Sequence, residues 1–410
     1  TMRRLAAAAF FLLSVLGSSA FQPNPWGFSF DLARRAASAV RRQPTRAIPC
    51  CRSMLRPRPF LARCSASAAN QGAGDRKVEE TGATNLADVL AHIWGAIARV
   101  MDKKSDEIIL SFPSCKVITN PMAVNKLVGH LEVCKDCCES FGSTVTLKII
   151  PRGDGESPYF QIKTVQGASG SDGLAEDDDD DWDVLSKYAD LLDSNEATPA
   201  ELELEKLTQV PDDDNEVLKI IRDWVNVIIS DMGVCPFSRN ADKAGLPLGP
   251  VHYSISRQTR PEDIYSEYWK EVSLLIQQDE KDISTTLHIL PNFYIGNSEA
   301  FTSFTDTLSQ SLSALGIEKY IQLVFFHPQW VFRDGADRMG ESGAANFARR
   351  SSFPMINILR TNQVRLAQKS IPTGLVYTQN EETLMEVGAE NLQKMLVARD
   401  WSPLTNTKVD

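Results

Sequence analysis

The stretch VHYSIS at 251–256, the helical pattern of 261–278 and the stretch STTLHIL at 284–290 decide the fold class. The two flanking stretches are short and rich in β-branched residues, as strands are, and the apolar residues of 261–278 recur at helical spacing. A helix is predicted next over 298–315, then a buried strand over 321–326, and a last helix over 381–397. Because strands and helices alternate with short connections, the sequence predicts an α/β domain with helices packed on a small sheet.

The N-terminal half shows a similar alternation on a smaller scale. Helices are predicted over 85–101 and from Asn120 to about Phe141, and strands over 107–112, 144–150 and 159–165. We therefore expect two modules of the α/β class. They are a small α/β module over 84–166 and a larger domain over 212–400, and no internal repeat is apparent from the sequence.

The segment 167–211 differs in composition from both modules. It contains Gly and Ser, and then Glu176 followed by five consecutive Asp residues. Like charges at this density repel one another and keep the chain extended. We expect an acidic linker in contact with solvent, and the alternative interpretation is a docking segment for a basic partner.

Residues 1–74 have the composition of a targeting sequence. A basic start, an apolar run from Leu5 to Leu16 and small residues at 17–20 are typical of a secretory signal. The rest is rich in Arg, lacks Lys and has Asp31 as its one acid. This pattern resembles the bipartite plastid presequence of algae with secondary plastids. We expect 1–74 to be disordered or removed, and the protein to work in the chloroplast stroma, reached through the secretory pathway.

The distribution of charge excludes one class of function. The chain has a formal net charge of −10, but residues 1–74 contain 11 Arg and one Asp, so the remaining residues are strongly acidic. An acidic body is unsuited to binding nucleic acid, because phosphate contacts need clustered Lys and Arg. No apolar run after residue 74 approaches the roughly 20 residues that span a bilayer, so we expect no membrane insertion of the mature form.

The first cluster that could carry chemistry is GVCPFSR at 233–239. Gly233 is suited to end the helix predicted over 216–231. If Pro236 begins a short helix, the Cys235 thiol faces free N–H groups, and these together with Arg239 lower its pKa and make it reactive. If Cys235 only follows the end of the preceding helix, it is an inert buried side chain.

Two more clusters lie further along the chain. His327 follows an apolar strand, at the position where α/β sheets bind ligands, and could be a base, a ligand or a structural hydrogen-bonding group. Asn346 is followed by Arg350 and Ser351 just before a predicted helix, with Arg360 two turns later. A helix start capped by Ser beside Arg predicts an anion site, and a capped helix with surface Arg is the alternative.

These clusters occur together, and in the same order, in the family called domain of unknown function fourteen-fifteen, which the chain resembles over about 215–400. The matching elements are GVCPF at 233–237, TTL at 285–287 with Pro291, FHP at 326–328, RSSFP at 350–354 and NILRT at 357–361. Two positions depart from the family pattern. Asn357 stands where the family has His, and Thr361 where it has Glu. The resemblance implies no known activity.

The N-terminal module carries a cluster of its own. His130, Cys134, Cys137 and Cys138 share one helix face, with Cys115 nearby in sequence. Zinc binding, a thiol switch and ordinary packing are the three interpretations. A single helix face does not surround a tetrahedral ion, so no metal site is predicted.

Two functional hypotheses follow from these clusters. The first is binding of a small anionic ligand, or of an acidic protein partner, by Arg239, Asn346, Arg350, Ser351 and Arg360. The second is an enzyme acting on a phosphorylated or carboxylated metabolite, with Cys235 as nucleophile and His327 as base. It expects Cys235, His327, Arg350 and Arg360 to share one cleft. The sequence contains no Walker A loop, GxGxxG, HExxH or GxSxG motif, and the identity of any cofactor stays open.

Overall fold

The computed structural model describes residues 77–138, 144–153, 155–165, 199–234, 249–332, 343–370 and 373–405. The predicted presequence and most of the predicted acidic linker lie outside these residues, so the chloroplast location stays a prediction. The fold class is α/β, as predicted: the described residues form nine α-helices and two four-stranded sheets. Within them, no helix has both the length and the apolar character needed to cross a membrane.

The first sheet belongs to the N-terminal module. Its elements are β1 (Val78–Glu80), α1 (Leu86–Met101), β2 (Glu107–Ser111), α2 (Pro121–Cys134), β3 (Val145–Ile150) and β4 (Tyr159–Thr164). The strand order is β1-β2-β4-β3, with β1 parallel to β2 and the other pairs antiparallel. The predicted elements are confirmed, except that α2 ends earlier than expected.

The two helices of this module begin at the residues that the sequence predicts. The Asn85 side chain accepts a hydrogen bond from the Asp88 N–H (3.0 Å), and the Asn120 side chain accepts one from the Met122 N–H (2.9 Å). Each asparagine therefore satisfies a backbone donor that has no partner within the helix. Pro121 opens α2, where its missing N–H has no consequence.

The second sheet belongs to the C-terminal domain. Its elements are β5 (Val251–Ile255), α5 (Pro261–Gln277), β6 (Thr285–Ile289), α6 (Ser298–Ala314), β7 (Ile321–Phe326) and β8 (Met355–Arg360). The strand order is β5-β6-β8-β7, again with one parallel pair, β5 and β6, and two antiparallel pairs. The order and direction of the strands are therefore the same in both sheets.

The segment after Pro354 corrects a sequence prediction. We predicted a helix there because Ile356 and Leu359 are spaced like one helix face, but Met355–Arg360 is β8. This strand lies between β6 and β7 and is buried along almost its whole length. A strand covered on both faces lacks the polar alternation that distinguishes strands from helices in sequence.

The helices around residue 388 correct a second prediction. We expected one helix over 381–397, but α8 (Thr373–Val387) and α9 (Ala389–Ala398) are separate. Gly388 between them has a φ of 84°, which a residue with a side chain adopts only with strain. The chain turns at this glycine, so α9 runs in a direction of its own.

The remaining helices pack beside the second sheet. They are α3 (Pro199–Thr208), α4 (Asp214–Trp224), which continues as the π-helical turn Val225–Asp231, and α7 (Thr361–Ser370). Side chains of α3, α4, α7, α8 and α9 share one hydrophobic core with β6, β7 and β8. Helix α3 lies inside the segment predicted as linker, and its Leu207 is buried in this core.

A second hydrophobic core joins the two modules. Helix α1 packs lengthwise against α5, and α2 against α6. The large buried side chains of this core include Trp94 from the N-terminal module and Tyr265 and Trp269 from the C-terminal domain. The α1–α2 layer of the first sheet therefore faces the α5–α6 layer of the second sheet.

Candidate functional site

The connection between β7 and β8 carries most of the predicted site residues. It runs from 327 to 354, and the structure describes 327–332 and 343–354 of it. Because β7 and β8 are antiparallel, with Phe326 paired to Met355, both ends of the connection lie at the same edge of the sheet. His327, Asn346, Arg350 and Ser351 are therefore brought together at this edge, in a region that we call the β7–β8 edge.

His327 is a buried structural residue at this edge, with only 1% of its surface exposed. Its Nε2 lies 3.0 Å from the Tyr294 carbonyl oxygen, and the Gln329 N–H points at Nδ1 from 3.1 Å. This arrangement assigns the ring proton to Nε2, which donates to Tyr294. Burial lowers the pKa of His327 to about 4, so the ring is neutral at physiological pH.

Asn346 is a buried residue that holds the two described parts of the β7–β8 connection together. Its side-chain oxygen accepts a hydrogen bond from the Phe332 N–H (3.0 Å), so it links the two described parts of the connection. Its main-chain carbonyl accepts hydrogen bonds from the N–H groups of Arg349 (2.9 Å) and Arg350 (3.0 Å). Asn346 therefore positions the two arginines rather than lying open to solvent, since its exposed fraction is 0%.

Arg349 and Arg350 place two guanidinium groups at the β7–β8 edge. The guanidinium carbon of Arg349, which is almost fully buried, lies 5.0 Å from the ring centre of Trp330. Arg350 donates from Nε to the Trp330 carbonyl (3.0 Å) and lies 4.9 Å from the ring centre of Phe347. Burial lowers the pKa of Arg350 from its ordinary value, although an arginine remains charged at neutral pH.

The two serines that follow are fully buried and differ in their hydrogen bonds. The Ser351 hydroxyl donates to the Phe353 carbonyl (2.6 Å), so it holds the turn that leads into β8. The Ser352 hydroxyl has no hydrogen-bond partner within the part of the chain that the structure describes. The same is true of the Trp330 indole N–H. Two buried donors at the β7–β8 edge thus lack an acceptor.

Helix α4 is anchored to this edge through its last residue. The Trp224 indole N–H donates to the Arg350 carbonyl (3.1 Å), and its ring meets Phe326 edge-on with centres 5.1 Å apart. The π-helical turn then leads to Gly233, whose φ of 72° ends the helix, as predicted. Cys235 and Arg239 lie outside the described residues, so their roles as nucleophile and ligand-binding residue stay predictions.

Arg360 lies at the other end of β8 from Arg350. It pairs with Ile321, the first residue of β7, and a six-residue strand spans roughly 20 Å. Its guanidinium group donates to the carbonyls of Ile283 (3.0 Å) and Gln278 (2.9 Å). The expectation that Arg360 shares a cleft with His327 and Arg350 is therefore wrong, because β8 is a strand and not a two-turn helix.

A cavity of about 280 Å³ lies beside Arg360. Its lining residues are Ile276, Lys319, Tyr320, Ile321, Arg360 and Asn362. The Asn362 amide in this lining donates to the Glu280 carboxylate (3.0 Å). A carboxylate so close to Arg360 makes this cavity a weaker candidate for anion binding than the β7–β8 edge.

The two positions that depart from the family pattern are hydrogen-bonded within the fold. The Asn357 side-chain oxygen accepts from the Thr285 hydroxyl across the β6–β8 pair (2.7 Å). The Thr361 hydroxyl donates to the Glu318 carbonyl (2.7 Å). Neither residue belongs to the β7–β8 edge, since Asn357 lies in the middle of β8 and Thr361 follows Arg360 at its far end.

The histidine and cysteines of the N-terminal module form a packed cluster. His130 accepts from the Trp94 indole N–H (3.3 Å) and bonds to Ser311, and Cys134 Sγ lies 3.5 Å from His130 Nδ1. Burial raises the pKa of Cys134 to about 12 and also raises the pKa of Cys115, Cys137 and Cys138. These thiols are therefore protonated. Among the described residues, no group of three or more His, Cys, Asp or Glu could hold a metal.

The fold and the β7–β8 edge define a two-sheet α/β protein with a donor-rich edge on its C-terminal sheet. Residues 216–394 match the model of the family described as "Protein of unknown function (DUF1415)". The resemblance expected from the sequence motifs is thereby confirmed for the C-terminal domain. No curated protein and no solved structure is significantly similar to the chain.

Sequence reasoning did not single out two residues that shape this edge. They are Trp330, whose carbonyl orients Arg350, and Trp224, which fixes the Arg350 carbonyl. These contacts join residues that are 20 and 126 positions apart, which no local pattern reveals.

Proposed function

We propose that the C-terminal domain binds a small anion, such as a phosphate or carboxylate group, at the β7–β8 edge. The observation that supports it is the pair of buried donors on Ser352 and Trp330 that lack an acceptor. Leaving a buried donor unsatisfied costs about 1–3 kcal/mol, so a bound oxygen acceptor would recover a substantial free energy.

The charges at this edge favour an anion over a neutral acceptor. The guanidinium group of Arg349 lies against the Trp330 ring, and that of Arg350 is held by the Trp330 carbonyl. Both arginines are within three residues of Ser352, so two positive charges and two unsatisfied donors occupy one small region. Charge-assisted hydrogen bonds to such groups are roughly twice as strong as neutral ones.

The enzymatic hypothesis has less support from the geometry. This hypothesis makes His327 a base, but both of its ring nitrogens are engaged with main-chain atoms. A general base needs a free nitrogen within reach of the proton that it accepts. We therefore propose a binding function and leave Cys235 out of the proposed site.

The first test of the proposal compares Arg350, which lies before the start of β8, with Arg360 at the end of β8. We expect inorganic phosphate to raise the melting temperature of the full chain at constant ionic strength, because a ligand bound at 100 times its Kd stabilises by about 2.7 kcal/mol. Arg350→Met should abolish this shift, whereas Arg360→Met, a matched change on a half-buried arginine, should keep it. Equal shifts in both variants, or an equal shift with chloride, would contradict the proposal.

The second test uses the unsatisfied hydroxyl. Ser352→Ala removes a buried donor without creating a large cavity, so we expect the ligand-free protein to keep its stability or gain up to about 1–3 kcal/mol. The same variant should show a smaller phosphate-induced shift than the wild type. Ser351→Ala is the control, because its hydroxyl is already bonded to Phe353 and its loss should destabilise the ligand-free protein. A Ser352→Ala variant that loses stability and keeps the full phosphate shift would argue against an unsatisfied donor at the site.

A further inference from the structure

The two sheets are copies of one structural unit. The first unit is β1-α1-β2-α2-β3-β4, and the second is β5-α5-β6-α6-β7-β8. When Glu107 is matched to Thr285 and Lys163 to Leu359, the four consecutive residue pairs of β2–β4 coincide with pairs of β6–β8. The repeat therefore extends to the register of the strands, although no repeat is apparent from the sequence.

The helices of the two units also correspond residue by residue. Counted from the capping positions Asn85 and Arg260, all nine buried positions of α5 are buried in α1 as well. Trp94 and Trp269 occupy the same position in this count. Counted from Asn120 and Asn297, the five buried positions of α2 are all buried in α6.

The contacts between the units have the form of a two-fold interface. In such an interface, residue i of one copy contacts residue j of the other, and j contacts i. His130 bonds to Ser311, and at the equivalent positions the Thr307 hydroxyl is close enough to Cys134 to lower the pKa of its thiol against the larger effect of burial. Equivalent residues should meet at the two-fold axis itself, and the Ser266 hydroxyl donates to the carbonyl of its equivalent Ala91 (3.0 Å).

The ends of α1 and α5 also contact each other in the way that a two-fold axis requires. Asn85, at the start of α1, donates to the Ser273 hydroxyl near the end of α5 (3.1 Å). Arg260, at the start of α5, pairs with Asp102 at the end of α1 (2.8 Å). The two helices are therefore antiparallel, and each start lies beside the other's end, as a two-fold axis requires.

The first unit has a glycine, Gly95, at a tight contact between α1 and α5. A Cβ placed on Gly95 would lie 3.1 Å from the Ser266 hydroxyl, so α1 and α5 could not approach as closely with a larger residue. The equivalent position in α5 is Lys270, which is exposed. The first unit is thus adapted to fit tightly on α5.

We propose that the α5–α6 face of the C-terminal domain is a self-association surface, and that the first unit covers it as a built-in second copy. The first unit lacks the β7–β8 edge, because its β3–β4 connection is eight residues long (151–158) and that of the second unit is 28 (327–354). It therefore supplies the matching face without a second anion site. Its displacement would expose Tyr265 and Trp269, and apolar surface of this kind drives association.

The test displaces the first unit within the full chain. Gly95→Arg places a long cation against Ser266, and Ala91→Arg/Gly95→Arg adds a second cation to the same face, so that docking is lost. We expect the mass in solution to double, because two chains then pair through α5 and α6. In that dimer the two Ser266 residues meet at the axis, so Ser266→Cys added to either variant should cross-link two chains on oxidation.

Three further variants define the outcome. Gly129→Arg is the same exchange at an exposed helix position where nothing lies within 4 Å of an added Cβ, and it should keep the mass of the wild type. Gly95→Arg without Ser266→Cys measures the cross-linking that the native thiols cause. Adding Lys270→Gly puts a small residue at the position equivalent to Gly95 and should raise the dimer fraction. A mass equal to that of the wild type in both displaced variants, or a dimer that Ser266→Cys does not cross-link, would overturn the proposal.

Discussion

Trp94→Ala is expected to lower the free energy of unfolding by about 3–5 kcal/mol, the range for large-to-small changes of buried aromatic residues. Trp94 is fully buried between the two units. Its ring stacks on Tyr265 with centres 4.6 Å apart, and its N–H donates to His130 Nε2 (3.3 Å). The variant therefore loses packing on both sides of the interface and also a buried hydrogen bond.

Guanidinium unfolding of the full chain measures this loss. Tyr320→Ala is the control, because 53% of Tyr320 is exposed and surface substitutions change stability by only about 0.5 kcal/mol. Trp94→Phe keeps an aromatic ring for Tyr265 but removes the N–H, so its loss should fall between the two. If Trp94→Ala were no more destabilising than Tyr320→Ala, the two units would not share a common core.

Acidification below pH 6.5 is expected to reduce the free energy of unfolding steeply. Burial lowers the pKa of His130 and of His288 to about 3 and that of His327 to about 4. These rings are neutral in the folded protein, whereas the unfolded chain binds protons near pH 6.5. Stability is therefore fully present above pH 6.5 and is lost as the pH falls toward 4, by about 1.4 kcal/mol per pH unit for each histidine, or about 4 for the three.

Denaturant unfolding at a series of pH values and constant ionic strength tests this slope. His327→Gln keeps a donor for the Tyr294 carbonyl but cannot titrate, so the slope should fall by about 1.4 kcal/mol per pH unit. His92→Gln is the same exchange at a histidine whose side chain is 46% exposed, and it serves as the matched control. A wild-type stability that stayed constant between pH 7 and 5 would show that these histidines take up protons in the folded protein as readily as in the unfolded chain.

The sequence predicted the elements whose signals are local. The caps at Asn85 and Asn120, the proline at the first turn of α2 and the helical spacing in 261–278 all involve residues within a few positions of each other. These features act through neighbouring backbone groups, so they can be predicted without the tertiary structure. The strand β8 cannot be predicted in this way, because its burial on both faces comes from neighbours that are far away in sequence.

The candidate site was predictable in composition but only partly in geometry. The motifs indicated His327, Asn346, Arg350 and Ser351 as candidate site residues. These four residues do lie at one edge of the sheet. His327 was left open as a base, a ligand or a structural hydrogen-bonding group, and its two main-chain hydrogen bonds support the structural role. Arg360 was misplaced because one wrong assignment, helix in place of strand, changes the distance between its ends from about 9 Å to roughly 20 Å.

By itself, the sequence determined the α/β class, the resemblance over the C-terminal domain and most element boundaries, because hydrophobic period and capping are properties of short segments. Only the tertiary structure decided that two sheets share one topology and face each other through equivalent helices. The two units share which helix positions are buried, whereas equivalent residues such as Ala91 and Ser266, or His130 and Thr307, differ in chemistry. The likeness of the two units is therefore visible in the packing of residues that are distant in sequence and not in the residue types.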